Sequence, residues 1–289
     1  MELAHISDLH VTAPLGPWWG LLNKRVIGAL TLLRRAHPHE IMQAVVDDLR
    51  RAPPDHLAVT GDLPNLALDS EFERARDYLA ALDLPPERLS IIPGNHDAYV
   101  RGPFTTRRFE HHMAPLLGLA HDELAWPRAQ RRDGVLFVSL SSCVPTPWFT
   151  AYGRVAAAQL ARARALLAEG EAAFKVVLVH HPPLQGHGGP DLLWRRNLDG
   201  RAVLDACREG GADLVLCGHT HAAFRYHVPG DGRRLLISCA GSTTKQPRQV
   251  GAAATYNRYR IEDGRLVEVE VRGFCPARRE FVSLRREKP

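Results

Sequence analysis

Five short polar clusters hold the residues of this 289-residue sequence that are best suited to metal chemistry. "ISDLH" supplies Asp8 and His10, "TGDLPN" supplies Asp62, and "PGNHD" supplies Asn95, His96 and Asp97. "VHHPP" adds His180 and His181, and "CGHTH" adds His219 and His221. Carboxylate oxygens and imidazole nitrogens suit divalent manganese, iron, cobalt or zinc, and the absence of thiolate ligands argues against a structural zinc site. Asn95 offers a neutral oxygen, which ligates a cation without adding charge. A carboxylate shared by two cations brings them to about 3.5–4 Å, where they lower the pKa of a water between them. The chemistry open to such a set is metal-assisted hydrolysis. Each cluster alone is a weak signal, because D-x-H is common by chance and a lone histidine is more often structural. Their joint occurrence is what carries the reading.

Each cluster directly follows a short apolar run, and that placement names the elements needed to position it. "LAHISD", "HLAVTGD", "LSIIPGN", "GVLFVSLSS", "KVVLVHH" and "ADLVLCGH" read as strands. Helices are predicted over "HEIMQAVVDDLRRA", with Ile41, Val45, Val46 and Leu49 on one face, and over "DSEFERARDYLAAL", capped by Asp69 or Ser70. Two more are predicted over "VAAAQLARARALLAEG" and "DGRAVLDACREGG". An α/β sheet collects its ligands at the carboxyl edge, which is where the clusters fall. Toward the C-terminus, "FRYHVPGDGRRLLISCAGS" and "NRYRIEDGRLVEVEVRGF" read as hairpins around Gly-Asp-Gly and Asp-Gly turns. The pattern predicts one layered α/β domain over residues 1–289, with "LRREKP" as a frayed, solvated tail.

A hydrophobic fraction of 45% predicts a globular protein with a real core, not a disordered chain. The formal charge of +5 is compatible with an anionic substrate, a membrane surface or nucleic acid. No dense Lys/Arg stripe interleaved with aromatics appears, so nucleic acid is not the expected partner. No apolar run spans a bilayer, and "MELAHISD" does not read as a signal peptide, since Glu2, Ser7 and Asp8 interrupt it. Cys143, Cys207, Cys217, Cys239 and Cys275 are scattered without a C-x-x-C pair and read as reduced thiols, mostly buried in strands. The expected compartment is the cytoplasm.

The order D-x-H, G-D, G-N-H-D, H, G-H-x-H, filled from Asp8 to His221, resembles the calcineurin-like metallophosphoesterase family. The resemblance implies a four-layer α-β-β-α sandwich with a dinuclear metal site at the carboxyl edges of the strands. Carried over by position, one ion is held by Asp8, His10, Asp62 and His221. The other is held by Asp62, Asn95, His180 and His219, so that Asp62 bridges. Manganese is the first expectation, with iron, zinc, cobalt or magnesium as alternatives. The implied reaction is attack of a bridging hydroxide on a phosphodiester or pyrophosphate. His96 then assists the leaving group, and Asp97 either orients that imidazole or caps the following loop.

The substrate is less legible. The segment "GPWWGLLNKRVIGALTLLRR", at about residues 15–36, has Trp19, Leu22, Val26, Ala29, Leu30 and Leu33 at helical spacing, with Lys24, Arg25, Arg34 and Arg35 alongside. It reads either as a cover helix or as an interfacial helix, Trp18 to Arg35, giving peripheral membrane contact and a lipid-linked substrate. Some relatives with this chemistry cleave UDP-2,3-diacylglucosamine, although the best-known bacterial form has arginine where this chain has His96. Cyclic nucleotide phosphodiesterases share the motifs, and a nuclease or a non-catalytic scaffold are further alternatives. Tyr99, Arg101 and His181 are candidate substrate contacts. Arg107, Arg108, Lys245 and Arg248 are candidates to reach phosphate. The remaining histidines, among them His5, His37, His56 and His112, read as structural or exposed.

Overall fold

A computed structural model describes residues 1–14, 37–98, 100–169, 171–230, 235–246 and 254–289. Two six-stranded sheets lie at its centre. The first runs β12-β11-β10-β1-β2-β3, built from β1 (Glu2–Ile6), β2 (His56–Val59), β3 (Leu89–Ile91), β10 (Thr255–Glu262), β11 (Arg265–Cys275) and β12 (Glu280–Glu287). The second runs β4-β5-β6-β7-β9-β8, built from β4 (Arg128–Arg132), β5 (Val135–Ser139), β6 (Phe174–Leu178), β7 (Leu214–Cys217), β8 (Phe224–Val228) and β9 (Leu235–Cys239). β1, β2 and β3 are parallel, as are β5, β6, β7 and β9, so each set presents its carboxyl ends along one edge.

Strand alternation divides the apolar residues among three cores. Ala58 and Ile92 of the first sheet meet Phe137, Val176, Leu178, Leu214 and Leu216 of the second between the sheets. On the outer face of the first sheet, Leu57 and Val59 pack against α1 (His39–Arg51) and α2 (Asp69–Ala80) through Val45, Leu49 and Phe72. On the outer face of the second, Val177 and Val215 pack against α5 (Ala157–Glu169) and α6 (Gly200–Gly210) through Leu160, Val203 and Leu204. Helix, sheet, sheet, helix is the four-layer order expected. Two short helices, α3 (Arg101–Thr105) and α4 (Arg108–Met113), follow the third cluster. Among the described residues, no helix is long and apolar enough to cross a membrane. The proposed helix at 15–36 lies outside the described residues.

Three local expectations need correction. Leu284–Glu287 is not a frayed tail but the end of edge strand β12, anchored by fully buried Phe281. Its charged outer positions hide the strand signal and also protect an edge from further pairing. β4, "RAQRR", was missed for the same reason. Helix α2 is not capped by Asp69 or Ser70: Glu71 reaches back to the backbone N–H groups of Leu66 (2.7 Å) and Leu68 (3.2 Å).

One buried polar cluster ties the outer helix to the C-terminal strands. Asp48 of α1 accepts from Arg272 Nε (2.7 Å), Arg272 Nη2 (2.8 Å) and Tyr256 OH (2.5 Å). Asp48→Ala leaves the Tyr256 phenol without its acceptor and the Arg272 guanidinium with Glu270 (3.1 Å) as its remaining carboxylate, so it should destabilise the fold by about 2 kcal/mol. Urea unfolding would measure this; a loss below about 1 kcal/mol would mean water replaces the carboxylate freely.

Candidate metal centre

The five clusters converge where the carboxyl edges of the two sheets adjoin. Asp8 and His10 follow β1, Asp62 follows β2, Asn95 follows β3, His180 follows β6, and His219 and His221 follow β7. Their backbones are linked crosswise: Asp8 N–H to Gly61 C=O, His10 N–H to Asp62 C=O, and Gly218 N–H to His180 C=O, each 3.0 Å. Asp8, His10, Asp62, His219 and His221 all have positive φ, between 44° and 71°. A left-handed residue reverses the chain at once, and such strain persists only where the surroundings enforce it. The glycines permit the approach. A Cβ on Gly94 would strike Asp62 Oδ1 and lie 2.6 Å from Asp62 N and 2.7 Å from His180 Cε1.

Hydrogen bonds to backbone carbonyls fix which nitrogens face inward. His180 Nδ1–H donates to Thr60 C=O (2.6 Å), and His219 Nε2–H donates to Arg195 C=O (2.8 Å). In the neutral rings the opposite nitrogens therefore carry the lone pairs. His180 Nε2 lies 3.2 Å from Asn95 Oδ1 and 3.3 Å from Asp62 Oδ2, while His219 Nδ1 lies 2.8 Å from Asn95 Oδ1. Acceptors cannot hold these distances unless a proton or a cation sits among them. The side chains are almost fully buried, so water screens little. This donor set fits a divalent cation.

A second set adjoins it. Asp8 Oδ1 lies 3.2 Å from His221 Nε2 and 3.8 Å from His10 Nε2, and the two imidazole nitrogens face each other at 2.9 Å. Asp62 Oδ2 is 3.9 Å from His10 Nε2. Asp8, His10, Asp62 and His221 each bring one ligand atom within 4.8 Å of the others. The same oxygen, Asp62 Oδ2, thus faces both sets. Ser7 Oγ–H and His219 N–H hold the Asp8 carboxylate in place, at 2.7 and 3.0 Å.

In the metal-free protein a proton does part of the cation's work. Burial alone would lower the His180 pKa, but the Asp62 carboxylate outweighs it and raises it to about 9. Since that value lies above the unfolded one, near 6.5, the stabilisation is complete below pH 6.5 and is lost as pH rises through about 9. The metal-free melting temperature should therefore fall across this interval, and the gain on adding a divalent ion should grow. Thermal melts with and without chelator measure both; a flat metal-free profile would contradict the pairing.

The neighbours differ from expectation. Asp97 does not reach the His96 ring; its Oδ2 accepts from Asp62 N–H (2.8 Å) and Gly94 N–H (2.7 Å), clamping the loop after β2 to the loop after β3. The alternative of a loop cap is closer to what it does. Burial, and then the Asp62 charge, push its carboxyl well above the usual range. The His96 ring is held by Asn65 C=O (2.6 Å at Nδ1) and meets His10 edge-on at 4.6 Å. His181 is no surface contact. It is fully buried, uses Nδ1 with Ser142 Oγ (2.7 Å) and Nε2 with Ala151 C=O (3.1 Å), and packs against His219 in a tilted arrangement with ring centroids 4.4 Å apart. One of its nitrogens lies within 4.8 Å of ligand atoms of His180 and His219, but with Ser142 and Ala151 engaging both nitrogens the ring is suited to positioning His219.

Arg101 stands exposed at the start of α3, and none of the described contacts ties it to the cluster. Arg107 and Arg108 are structural, donating to Leu124 C=O and to Ala67 C=O and Asp69. Tyr99 and Arg248 lie outside the described residues. The segment after β9 buttresses the site: Ser242 Oγ–H donates to Asp8 C=O (2.9 Å), and Thr243 Oγ accepts from Ser7 N–H (3.0 Å). His37 was missed. It packs 4.8 Å from His10, with Nδ1 2.9 Å from Thr244 Oγ1, and no sequence spacing announces that contact.

Comparison with known proteins agrees with this arrangement. The family profile described as calcineurin-like phosphoesterase matches residues 1–223. The chain is 28% identical to a glycerophosphodiester phosphodiesterase, GpdQ, of Enterobacter lignolyticus over 229 residues, covering 76% of this chain and 71% of that one. It is 27% identical to a probable cyclic nucleotide phosphodiesterase of a Synechococcus strain over 241 residues, covering 83% and 79%. Its fold is similar to that of a dimetal phosphatase from Danio rerio, with a TM-score of 0.59, 14% identity and 98% of each chain covered.

Proposed function

Because the chain belongs to the calcineurin-like phosphoesterase family, we propose that it is a two-metal hydrolase of phosphodiester or pyrophosphate bonds. Asp8, His10, Asp62 and His221 hold one divalent ion, and Asp62, Asn95, His180 and His219 hold the other. The observation that carries this reading is the position of Asp62 Oδ2, which faces both acceptor sets at once. When bound, the two ions supply Lewis acidity to the phosphate oxygens and a water acidic enough to attack near neutral pH. Manganese is the proposed ion, since the set combines imidazole with carboxylate and amide oxygens.

The chain's own groups do the rest. Thr60 and Arg195 carbonyls keep His180 and His219 in the tautomers that aim lone pairs inward. Asp62 Oδ1 accepts the His96 N–H (2.7 Å), so the shared carboxylate also sets the start of the His96 turn. Asn65 C=O takes Nδ1–H and leaves Nε2 for the leaving oxygen. Burial disfavours the His96 imidazolium more than Asp62 and the Asn65 carbonyl favour it, so the ring gives up its proton readily when it carries one. Diesters are favoured over monoesters because both curated relatives are described as diesterases. The test is to load the protein with manganese and compare bis(p-nitrophenyl) phosphate with p-nitrophenyl phosphate. The diester should turn over at least about tenfold faster by kcat/KM, a difference of about 1.4 kcal/mol. Faster monoester hydrolysis would reject the diester reading while leaving the metal centre.

A further inference from the structure

Two loops that serve the metal centre also carry the main exposed apolar patch. Their backbones are clasped by Ala151 N–H to Trp194 C=O (2.8 Å), Gly153 N–H to Arg196 C=O (3.1 Å) and Leu198 N–H to Gly153 C=O (2.9 Å). Trp148 is 51% exposed, Phe149 77%, Leu192 59%, Leu193 65% and Trp194 48%; among the described residues only Phe104 and Leu284 are comparably exposed large hydrophobics. The carbonyls of Ala151 and Arg195, on these same loops, hold His181 and His219. The patch therefore borders the candidate metal centre. Five large apolar side chains gathered on two neighbouring loops gain nothing for the fold and mark an interaction surface.

We propose that this rim is a membrane-docking surface. Trp148, Phe149, Leu192, Leu193 and Trp194 enter the interfacial layer of a phospholipid bilayer, and the metal centre then meets phosphodiesters at that surface. The second clause rests on the diester reading above, whereas the docking does not. Composition favours a bilayer. Tryptophan with arginine is the pairing found at headgroup depth. Arg195 lies 5.7 Å from the Trp194 ring, and Arg154 and Arg196 stand on the same loops. Their carboxylates are Asp191, paired with Arg195, and Asp199, which accepts Val155 N–H. The rim is thus net cationic on a chain of charge +5, matching an anionic leaflet. A second copy of the chain is the poorer occupant. A stable dimer needs about 800 Å² and about 20 to 30 residues from each partner, and it would close the metal centre to its substrate.

The test is co-sedimentation of the metal-loaded full chain with phosphatidylcholine vesicles, with and without phosphatidylglycerol. Binding is expected to both and to be severalfold tighter with the anionic lipid. Phe149→Ser/Leu193→Ser should lower partitioning by about a hundredfold, tenfold for each side chain. Hydrolysis of soluble bis(p-nitrophenyl) phosphate should be unchanged in that variant. If the double variant loses vesicle binding but neither protein cleaves the soluble diester, docking stands and the diester reading falls. No sedimentation with either vesicle would overturn the proposal, as would a double variant that binds like the parent. A parent that dimerises through these residues without binding vesicles would assign the patch to a second copy and also overturn it.

Discussion

Asp62→Asn is expected to reduce diester hydrolysis by at least about a thousandfold, roughly 4 kcal/mol of transition-state stabilisation, and to lower bound metal from two ions to one or none. The substitution is nearly isosteric. An asparagine oxygen still accepts the His96 N–H that Asp62 Oδ1 takes at 2.7 Å, so the His96 turn keeps its anchor. What disappears is the charge that Oδ2 presents to His180 at 3.3 Å and to His10 at 3.9 Å. Without that charge, only Asp8 and the Thr60 carbonyl are left to oppose burial, and the His180 pKa should drop well below about 9. The metal-free variant should then lose the decline in stability between pH 6.5 and about 9 that the parent is expected to have. Metal analysis, kcat/KM and metal-free melts give three readouts of one cause. If two ions remain bound with near-parental activity, Asp62 does not bridge.

The sequence carried the donor set clearly and its support hardly at all. Asp8, His10, Asp62, Asn95, His180, His219 and His221 are side chains with a distinct chemistry, each placed at the end of an apolar strand, and the structure brings all seven together. The groups that aim them are mostly carbonyls of Thr60, Asn65, Ala151 and Arg195. Every residue owns a carbonyl, so no residue type marks these positions. The left-handed turns at Asp8, His10, Asp62, His219 and His221 are faintly marked at best, because aspartate and histidine, though enriched at positive φ, do not require it. The same logic explains the fold. Strands with apolar faces on both sides, such as β6 and β7, were legible from their runs. β4 and β12 hide behind arginines at their outward positions. For Asp97 the sequence left two readings open because its carboxylate sits one residue from His96, and its bonds run instead to backbone N–H groups of Asp62 and Gly94.

His96→Gln should separate leaving-group chemistry from metal binding. Glutamine can still bond toward the Asn65 carbonyl and preserve the turn, but it has no proton to give at neutral pH. Loss of a general acid costs about a hundredfold when the departing oxygen is a poorly stabilised alkoxide, and little when it is p-nitrophenolate. The expected result is therefore a drop of about a hundredfold for alkyl diesters such as glycerophosphodiesters, less than about threefold for bis(p-nitrophenyl) phosphate, and unchanged metal content. The pH dependence should follow. Burial lowers the His96 pKa, with Asp62 and the Asn65 carbonyl opposing it, so the active imidazolium is the minor form and is lost as pH rises. Alkyl diester turnover in the parent should fall on that alkaline side relative to nitrophenyl turnover, and the variant should show no such divergence. Equal losses on both kinds of substrate, with metal retained, would make His96 a positioning residue for the adjacent His10 ring and not the proton donor. Loss of metal in the variant would place it in support of the centre itself.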